Sequence, residues 1–209
     1  MARETSTVHA GSRRRMVLAV CIIVGMILID QFVKIYIKTH FALHDSVKVF
    51  NWFYLYFTEN NGMAFGWEIF NNKIFLTLFR IAAAGVLVWL LVRICRRPKY
   101  PTGVVVCVAL IIAGALGNVI DCMFYGLGFS DSAWHIAEIF PAGGGYAPMF
   151  YGRVVDMIYC PIIDANWPAW MPFCGGEHFI FFSPVFNVAD SCITCGVLIL
   201  LIFYHKVLK

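Results

Sequence analysis

Two aspartates in otherwise apolar stretches are the residues of this chain best suited to chemistry. Asp156 lies in the segment GRVVDMI, and Asp190 lies in SPVFNVAD at the beginning of a long apolar run. Two carboxylates a few ångströms apart cannot both ionise, so such a pair keeps one proton and titrates in two steps. The ionised member can take a proton from water while the protonated member polarises a carbonyl group. If Asp156 and Asp190 come together in the fold, they therefore predict hydrolysis by an aspartic mechanism.

Each aspartate also has a purely structural interpretation. Asn187 is placed to cap a helix at the start of the apolar run, with Asp190 in the first turn, where a negative charge suits the helix dipole. Asp156 would then be a solvated loop residue paired with Arg153. The apolar neighbours of Asp156 instead favour a segment that packs onto the protein and carries its carboxylate into a dry site.

The composition requires a membrane environment. The chain has 209 residues, of which 61% are hydrophobic and 13% are charged, whereas soluble domains contain about 25% charged residues. Four apolar runs are long enough to cross a hydrocarbon core of about 30 Å. They cover residues 16–36, 74–92, 104–125 and 186–204. We therefore expect an α-helical integral membrane protein, with four transmembrane helices in a single membrane domain over residues 1–209.

Basic residues predict the orientation of these helices. Lys and Arg gather on the cytoplasmic side of membrane proteins, and ten of them flank the ends of the runs that would share that side: Arg3, Arg13, Arg14, Arg15, Arg93, Arg96, Arg97, Lys99, Lys206 and Lys209. Both termini are then cytoplasmic. The net charge of +4 follows from this topology and gives no sign of nucleic-acid binding.

Two long loops would face outward, over residues 37–73 and 126–185. The first alternates aromatic and other residues around Val47 to Phe57 and then contains Asn61 and Gly62. This pattern predicts a strand followed by an Asn-Gly turn, and hence a small β-sheet on the outer surface. The second loop is rich in Trp, Pro and Gly, which is typical of extended segments at the headgroup interface.

Further polar residues fall at a similar depth on different helices. At 1.5 Å per helical residue, Asp30 and Asn118 lie about 21 Å above the cytoplasmic edge, Asp121 about 26 Å and Asp190 about 24 Å. Asp30 and Lys34 are spaced to form an i, i+4 ion pair. For Asp121, a supporting hydrogen-bond role and a catalytic role both stay open. The carboxylates thus share one layer near the outer leaflet, where charged residues usually face the bundle interior.

Five short motifs, in this order, resemble the lipoprotein signal peptidases, also called signal peptidase II. The motifs are DQFVK (residues 30–34), NNGMAF (60–65), GALGNVID (114–121), GRVVDMI (152–158) and FNVAD (186–190). Each motif alone is weak, but five in sequence on a four-span profile are highly specific, and they cover nearly the whole chain.

The resemblance implies a membrane-embedded, metal-independent aspartyl endopeptidase without a cofactor. Its substrates would be prolipoproteins whose lipobox cysteine carries diacylglyceryl, cut just before that cysteine. By matching motifs, the catalytic pair would be Asp156 and Asp190. Seven residues would bind substrate or support the pair: Asp30, Lys34, Asn60, Gly62, Asn118, Asp121 and Asn187. The enzyme would act as a monomer among membrane lipids of the bacterial inner membrane, and globomycin would occupy its groove.

The chain departs from the family pattern in two respects. The family usually has Arg directly after the aspartate of the third motif, whereas this chain has Cys122. The missing cation would have to come from Arg80, Lys34 or Arg153. The connections on either side of Asp156 are also longer than usual.

Cysteine usage adds one open point. Cys160 and Cys174 lie in the second outward loop, and a disulfide between them is possible in an oxidising compartment. The CxxC formed by Cys192 and Cys195 lies in an apolar run, so a zinc or redox site is not expected there.

Other functions fit the sequence less well. A proton-coupled transporter would need carboxylates near the midplane and usually repeated halves, and neither is found. A scaffold protein would explain the aromatic outer loops, but it should tolerate loss of both Asp156 and Asp190. No GxGD or HExxH motif occurs in the chain, which disfavours a presenilin-type protease and a zinc protease.

Overall fold

The fold is a bundle of apolar helices with two small sheets. The computed structural model describes residues 2–61, 73–133 and 135–207, with side chains from residue 10 onward. Its helices are α1 (Ala2–His40), α2 (Lys73–Cys95), α3 (Thr102–Ile120), the short α4 (Gly126–Gly128) and α5 (Val188–Phe203). Fold class and the small sheet agree with the sequence prediction.

The helix lengths fit a membrane protein. Among the described residues, three helical segments are long and apolar enough to span a bilayer: Ala10–His40, Lys73–Cys95 and Thr102–Gly128. The fourth, α5, is apolar but has 16 residues, which at 1.5 Å per residue is about 24 Å. The first helix continues four residues past the predicted end at Tyr36, so Lys38 lies in the helix and not, as predicted, in the outward loop.

The third span is not a straight α-helix up to Tyr125 as predicted. After Ile120 the chain forms a π-helical turn, Asp121–Tyr125, before α4. A π-turn widens the helix locally and is frequent at functional sites. Asp121, Cys122 and Tyr125 are all buried in this turn.

In the part of the chain that the structure describes, the segments between the helices form two antiparallel sheets. Four strands form one sheet in the order β1-β2-β3-β6, with β1 at Ser46–Phe50, β2 at Phe53–Asn60, β3 at Val154–Tyr159 and β6 at Val185–Phe186. Two further strands, β4 (Ile163–Asn166) and β5 (His178–Phe181), pair as a separate hairpin. We call residues 160–184 the outer hairpin. It leaves the main sheet after β3 and returns to it at β6.

The first outward loop is a hairpin and not the single strand predicted over Val47 to Phe57. The turn lies at Asn51 and Trp52, where β1 ends and β2 is about to begin. β2 then continues to Asn60. The predicted Asn-Gly turn falls partly on Gly62, outside the described residues.

Helix α3 packs closely on its neighbours because it has glycine where they touch. A Cβ atom at Gly114 would lie 2.2 Å from the carbonyl oxygen of Ala189 in α5, and one at Gly117 would lie 2.7 Å from Oδ2 of Asp30 in α1. Small residues allow such approach between membrane helices. Gly114 and Gly117 therefore let α3 pack closely against α5 and α1.

The outer hairpin keeps the two cysteines of the second loop apart. Cys160 precedes β4, whereas Cys174 lies beyond its far end, in the loop between Asn166 and its partner His178. A disulfide needs Cα atoms within about 7 Å, less than the length of the intervening strand. Both thiols are free.

Candidate active site

The candidate site is built around the start of α5. Asn187 is the N-cap: its side-chain oxygen accepts a hydrogen bond from the backbone N of Asp190 at 2.9 Å. In return, Oδ2 of Asp190 accepts from the backbone N of Asn187 at 3.3 Å. This reciprocal capping box satisfies two backbone donors that a helix start would leave unpaired. The predicted capping role of Asn187 and Asp190 is confirmed.

Asp156 reaches the same point from the sheet. It lies in the middle of β3, opposite Thr58 of β2, and it is 3% exposed. Nδ2 of Asn187 donates to Oδ1 of Asp156 at 2.7 Å, and the side chain of Asn60, the last residue of β2, also hydrogen-bonds to Asp156. Asp156 is therefore buried, and the solvated-loop interpretation is wrong.

One asparagine thus contacts both carboxylates, and a second one completes the link. Asn118 of α3 donates from Nδ2 to Oδ1 of Asp190 at 2.8 Å. Its Oδ1 accepts from Nδ2 of Asn187 at 3.2 Å and from Nζ of Lys34 at 2.8 Å. Because the acceptor oxygen of Asn118 is occupied by these two donors, its NH₂ group must face Asp190.

Lys34 holds the deeper part of the site together. Its side chain is fully buried and its Nζ lies 2.9 Å from Oδ2 of Asp30 and 2.7 Å from Oδ2 of Asp121. Oδ1 of Asp30 accepts from the backbone N of Ala189, next to Asp190, at 2.9 Å. The predicted Asp30–Lys34 ion pair is present, and it also ties α1 to the first turn of α5. Asp121 binds Lys34, which in turn donates to Asn118.

Gln31 and Tyr125 belong to this network but were not predicted. Nε2 of Gln31 donates to Oδ2 of Asp30 at 3.1 Å and to Oδ1 of Asp121 at 2.9 Å. The hydroxyl of Tyr125 donates to Oε1 of Gln31 at 3.1 Å. A polar residue beside Asp30 in an apolar run could have indicated that Gln31 belongs to the site. Tyr125 gave no such indication, because it lies in the π-helical turn that the sequence did not predict.

The cation next to Asp121 is Lys34, one of the three predicted candidates. Arg80 instead places Nη1 3.5 Å from the sulfur of Cys122. Arg153 forms ion pairs with Glu59 at 2.9 Å and Asp131 at 3.4 Å. An arginine directly after Asp121 is thus not needed to neutralise it.

The electrostatics of the site favour a protonated Asp156 near neutral pH. Burial, and then the nearby charge of Asp190, raises the pKa of Asp156 from an ordinary value of 3.8 to about 7. Hydrogen bonds from Asn187 and Asn60 limit this rise because they favour the ionised form. Asp190 is only half-buried. The site can therefore hold one neutral and one accessible carboxyl group, a pairing suited to acid–base chemistry.

Gly62 lies outside the described residues. Among the residues that the structure describes, no group of three or more His, Cys, Asp or Glu side chains is placed to hold a metal ion.

Comparison with known proteins places the chain in one group. The sequence profile of the family described as "Signal peptidase (SPase) II" matches residues 22–206. The Lipoprotein signal peptidase of Porphyromonas gingivalis is 49% identical over 185 residues, covering 88% of this chain and 81% of the relative. The Lipoprotein signal peptidase of Amoebophilus asiaticus is 33% identical, covering 84% of this chain and 72% of the relative.

Two solved structures, each described as a bacterial membrane enzyme, share the fold. One is 25% identical, with a TM-score of 0.62 over 90% of this chain and 88% of its own. The other is 26% identical, with a TM-score of 0.59 over 90% and 93%. The described architecture is therefore similar to that of solved membrane enzymes over most of both chains.

Proposed function

Because the chain belongs to the signal peptidase II family, we propose that it is an aspartyl endopeptidase that removes the signal peptide from diacylglyceryl-modified prolipoproteins, just before the lipidated cysteine. Family membership supports a membrane protease that processes prolipoproteins. The aspartic mechanism rests on one observation: Asn187 contacts both Asp156 and Asp190, so a buried and a half-buried carboxyl group share a neighbour.

In the proposed mechanism, Asp156 carries the shared proton and Asp190 is the general base. Asp190 takes a proton from water as the water oxygen attacks the scissile carbonyl carbon, and Asp156 donates a hydrogen bond to the carbonyl oxygen. The tetrahedral intermediate then collapses, the C–N bond breaks, and the proton taken by Asp190 passes to the nitrogen of the lipidated cysteine. Water is split between the two products, so no cofactor is consumed.

The supporting residues act by orienting this pair. Asn118 and the backbone of Asn187 bind opposite oxygens of Asp190, which fixes the plane of its carboxylate. Lys34, which is paired with Asp121, holds Asn118 in place. Asp30 holds the start of α5 through the backbone of Ala189. Asn60 approaches Asp156 from β2. These assignments, and a similar role for Gly62, are part of the proposal.

We place the enzyme in the bacterial inner membrane as a monomer with both termini cytoplasmic. The distribution of Lys and Arg supports this orientation, and it puts the start of α5 near the outer leaflet. The acyl chains of the substrate are anchored in that leaflet, so the scissile bond and the carboxyl pair would meet at one depth. Globomycin is expected to compete for the same groove.

The experiment that tests the proposal is cleavage of a diacylglyceryl-modified prolipoprotein peptide by purified protein in detergent. Asp156→Asn and Asp190→Asn should each abolish cleavage, whereas a chelator should leave the parent unchanged. Asparagine can still accept the capping hydrogen bond, so Asp190→Asn removes the charge with little effect on the helix start. Asp164→Asn, an exposed change of the same type in β4, is the matched control. Cleavage by either site variant would refute the pair, and a folded parent that cannot cut would refute the activity.

A further inference from the structure

A second buried ionic cluster lies outside the network just described. Lys38 is fully buried near the end of α1, and it forms an ion pair with Glu59 of β2. Nζ of Lys38 also donates to Oγ of Ser132 at 2.7 Å, and it lies 5.1 Å from the ring centre of Tyr146. A lysine is almost never fully buried without partners, so this position is specified by its contacts.

Glu59 is the centre of this cluster. Besides Lys38, it accepts from Oγ of Ser132 at 2.9 Å and from Nη1 of Arg153 at 2.9 Å. Burial alone would raise the pKa of Glu59, but Lys38 and Arg153 outweigh it and hold the pKa below its usual value. Glu59 is therefore ionised, and β2 is bound to α1 through a charged pair.

Glu59 precedes Asn60, and their side chains point to opposite faces of β2 because side chains alternate along a strand. With Glu59 held on the Lys38 side, Asn60 points to the face that carries Asp156. The register supports this: Thr58 pairs with Asp156 and Asn60 with Val154. A slip of one residue would turn Asn60 away from the site.

The β2–β3 pairing is irregular close to the site, because its register shifts between Leu55 and Thr58. Hydrogen bonding between the strands does not by itself select one register, and burial of Phe57 and Val155 on the face of Glu59 contributes to the choice. The ion pair from α1 to Glu59 adds a constraint at the residue directly before Asn60.

One face of helix α1 thereby contacts both the elements that hold Asp190 and the strand next to Asp156. Asp30, Lys34 and Lys38 are spaced i, i+4 and i+8 and lie on the same face of the helix. The first two bind the Asp190 side, through Ala189 and Asn118. The third binds the Asp156 side, through Glu59.

We propose that Lys38 is a positioning residue for cleavage, which, through Glu59, fixes β2 in the register that brings Asn60 to Asp156. This inference rests on the proposed function of Asp156. In this assignment Lys38 acts through Glu59 and not by contact with substrate.

The test is a double-mutant cycle on Lys38→Met and Asn60→Ala, with kcat and KM measured separately. Misplacement of a catalytic group by about 1 Å costs on the order of 100-fold, so Lys38→Met should lower kcat by roughly 10- to 100-fold with little change in KM. In the Asn60→Ala variant, Lys38→Met should lower kcat little further, because the side chain of Asn60 through which Lys38 acts on Asp156 is already absent. Additive effects, or an Asn60→Ala variant with normal kcat, would overturn the proposal.

Two controls separate positioning from general loss of stability. Leu91→Ala removes a buried side chain from the cluster of α1, α2 and α3 that lies away from the site, and it should lower the melting temperature without lowering kcat of the folded enzyme. A Lys38→Met variant that behaves in the same way would have a structural role only.

Hydrogen exchange tests the register without any cleavage assay. In Lys38→Met the backbone amides of residues 58–60 should exchange roughly tenfold faster than in the parent, while those of α5 stay protected. Unchanged exchange in β2 would refute the constraint even where the enzyme is active. If exchange is faster in Lys38→Met but the folded parent cannot cut, the constraint on β2 stands and only the proposed function is refuted.

Discussion

The carboxylate site and the outer hairpin are both connected to strands β3 and β6, yet they are built in opposite ways. At the site, Asp156 is buried and each polar group that we describe is held by a named partner. On the outer hairpin, large apolar side chains such as Trp170, at 80% exposure, and Phe173, fully exposed, face outward. The difference separates side chains whose positions are fixed by several partners from side chains that the protein itself does not constrain.

The largest effect is expected from a substitution in the buried ionic network of the site. Lys34→Met leaves Asp30 and Asp121 without their cation, and removal of one partner of a buried ion pair costs on the order of 3 to 5 kcal/mol. We expect a much lower melting temperature and loss of cleavage. Lys48→Met, the same substitution on the exposed strand β1, should change neither. Equal melting temperatures for the two variants would show that the network contributes no stability.

A smaller effect is expected from pH, because Asp156 has a raised pKa. Stability from a carboxyl group whose pKa is raised on folding is fully present below its unfolded value, near 3.8, and is lost as the pH rises through about 7. The shared proton is lost over the same range, so kcat/KM should fall about tenfold per pH unit above the apparent pKa.

Asn60→Ala sharpens the pH prediction. The hydrogen bond from Asn60 favours the ionised form of Asp156, so its removal should move the alkaline limb of the kcat/KM profile to higher pH. Asn166→Ala in β4 is the control and should leave the limb unchanged. A limb that stays in place, or moves to lower pH, would contradict the assignment of this titration to Asp156.

The smallest effect is expected at the outer hairpin. The double change of Trp170 and Phe173 to Ser alters exposed side chains, and such changes usually affect stability by no more than about 0.5 kcal/mol. Melting temperature and cleavage in detergent should stay close to those of the parent. A large rise in KM would instead show that the tip of the hairpin contacts the substrate.

The same contrast explains what the sequence predicted. Four apolar runs, the cap at Asn187 and the Asp30–Lys34 pair follow from local patterns, since hydropathy and i, i+4 spacing act within one element. The contact of Asn187 with both Asp156 and Asp190 joins residues that are 31 positions apart in the chain, and no local pattern predicted it.

Other features had no local signal. The π-helical turn at Asp121 interrupts an apolar run that predicts a continuous helix, and the β1–β2 turn at Asn51 has neither Gly nor Pro in its two residues. Lys38 was assigned to a loop because its partners, Glu59 and Ser132, are distant in sequence. Buried ion pairs between elements are tertiary contacts, and no single-segment pattern encodes them.

The contact between Gly114 and Ala189 has a consequence for motion. With 2.2 Å between the carbonyl oxygen and the place where a Cβ would be, the backbone of α5 rests directly on α3 at the turn that carries Asp190. Movement of α5 toward α3 would bring the two backbones into collision at this turn. We therefore expect Asp190 to keep its position relative to α3, and β3, which carries Asp156, to be the part of the site that moves when a peptide enters.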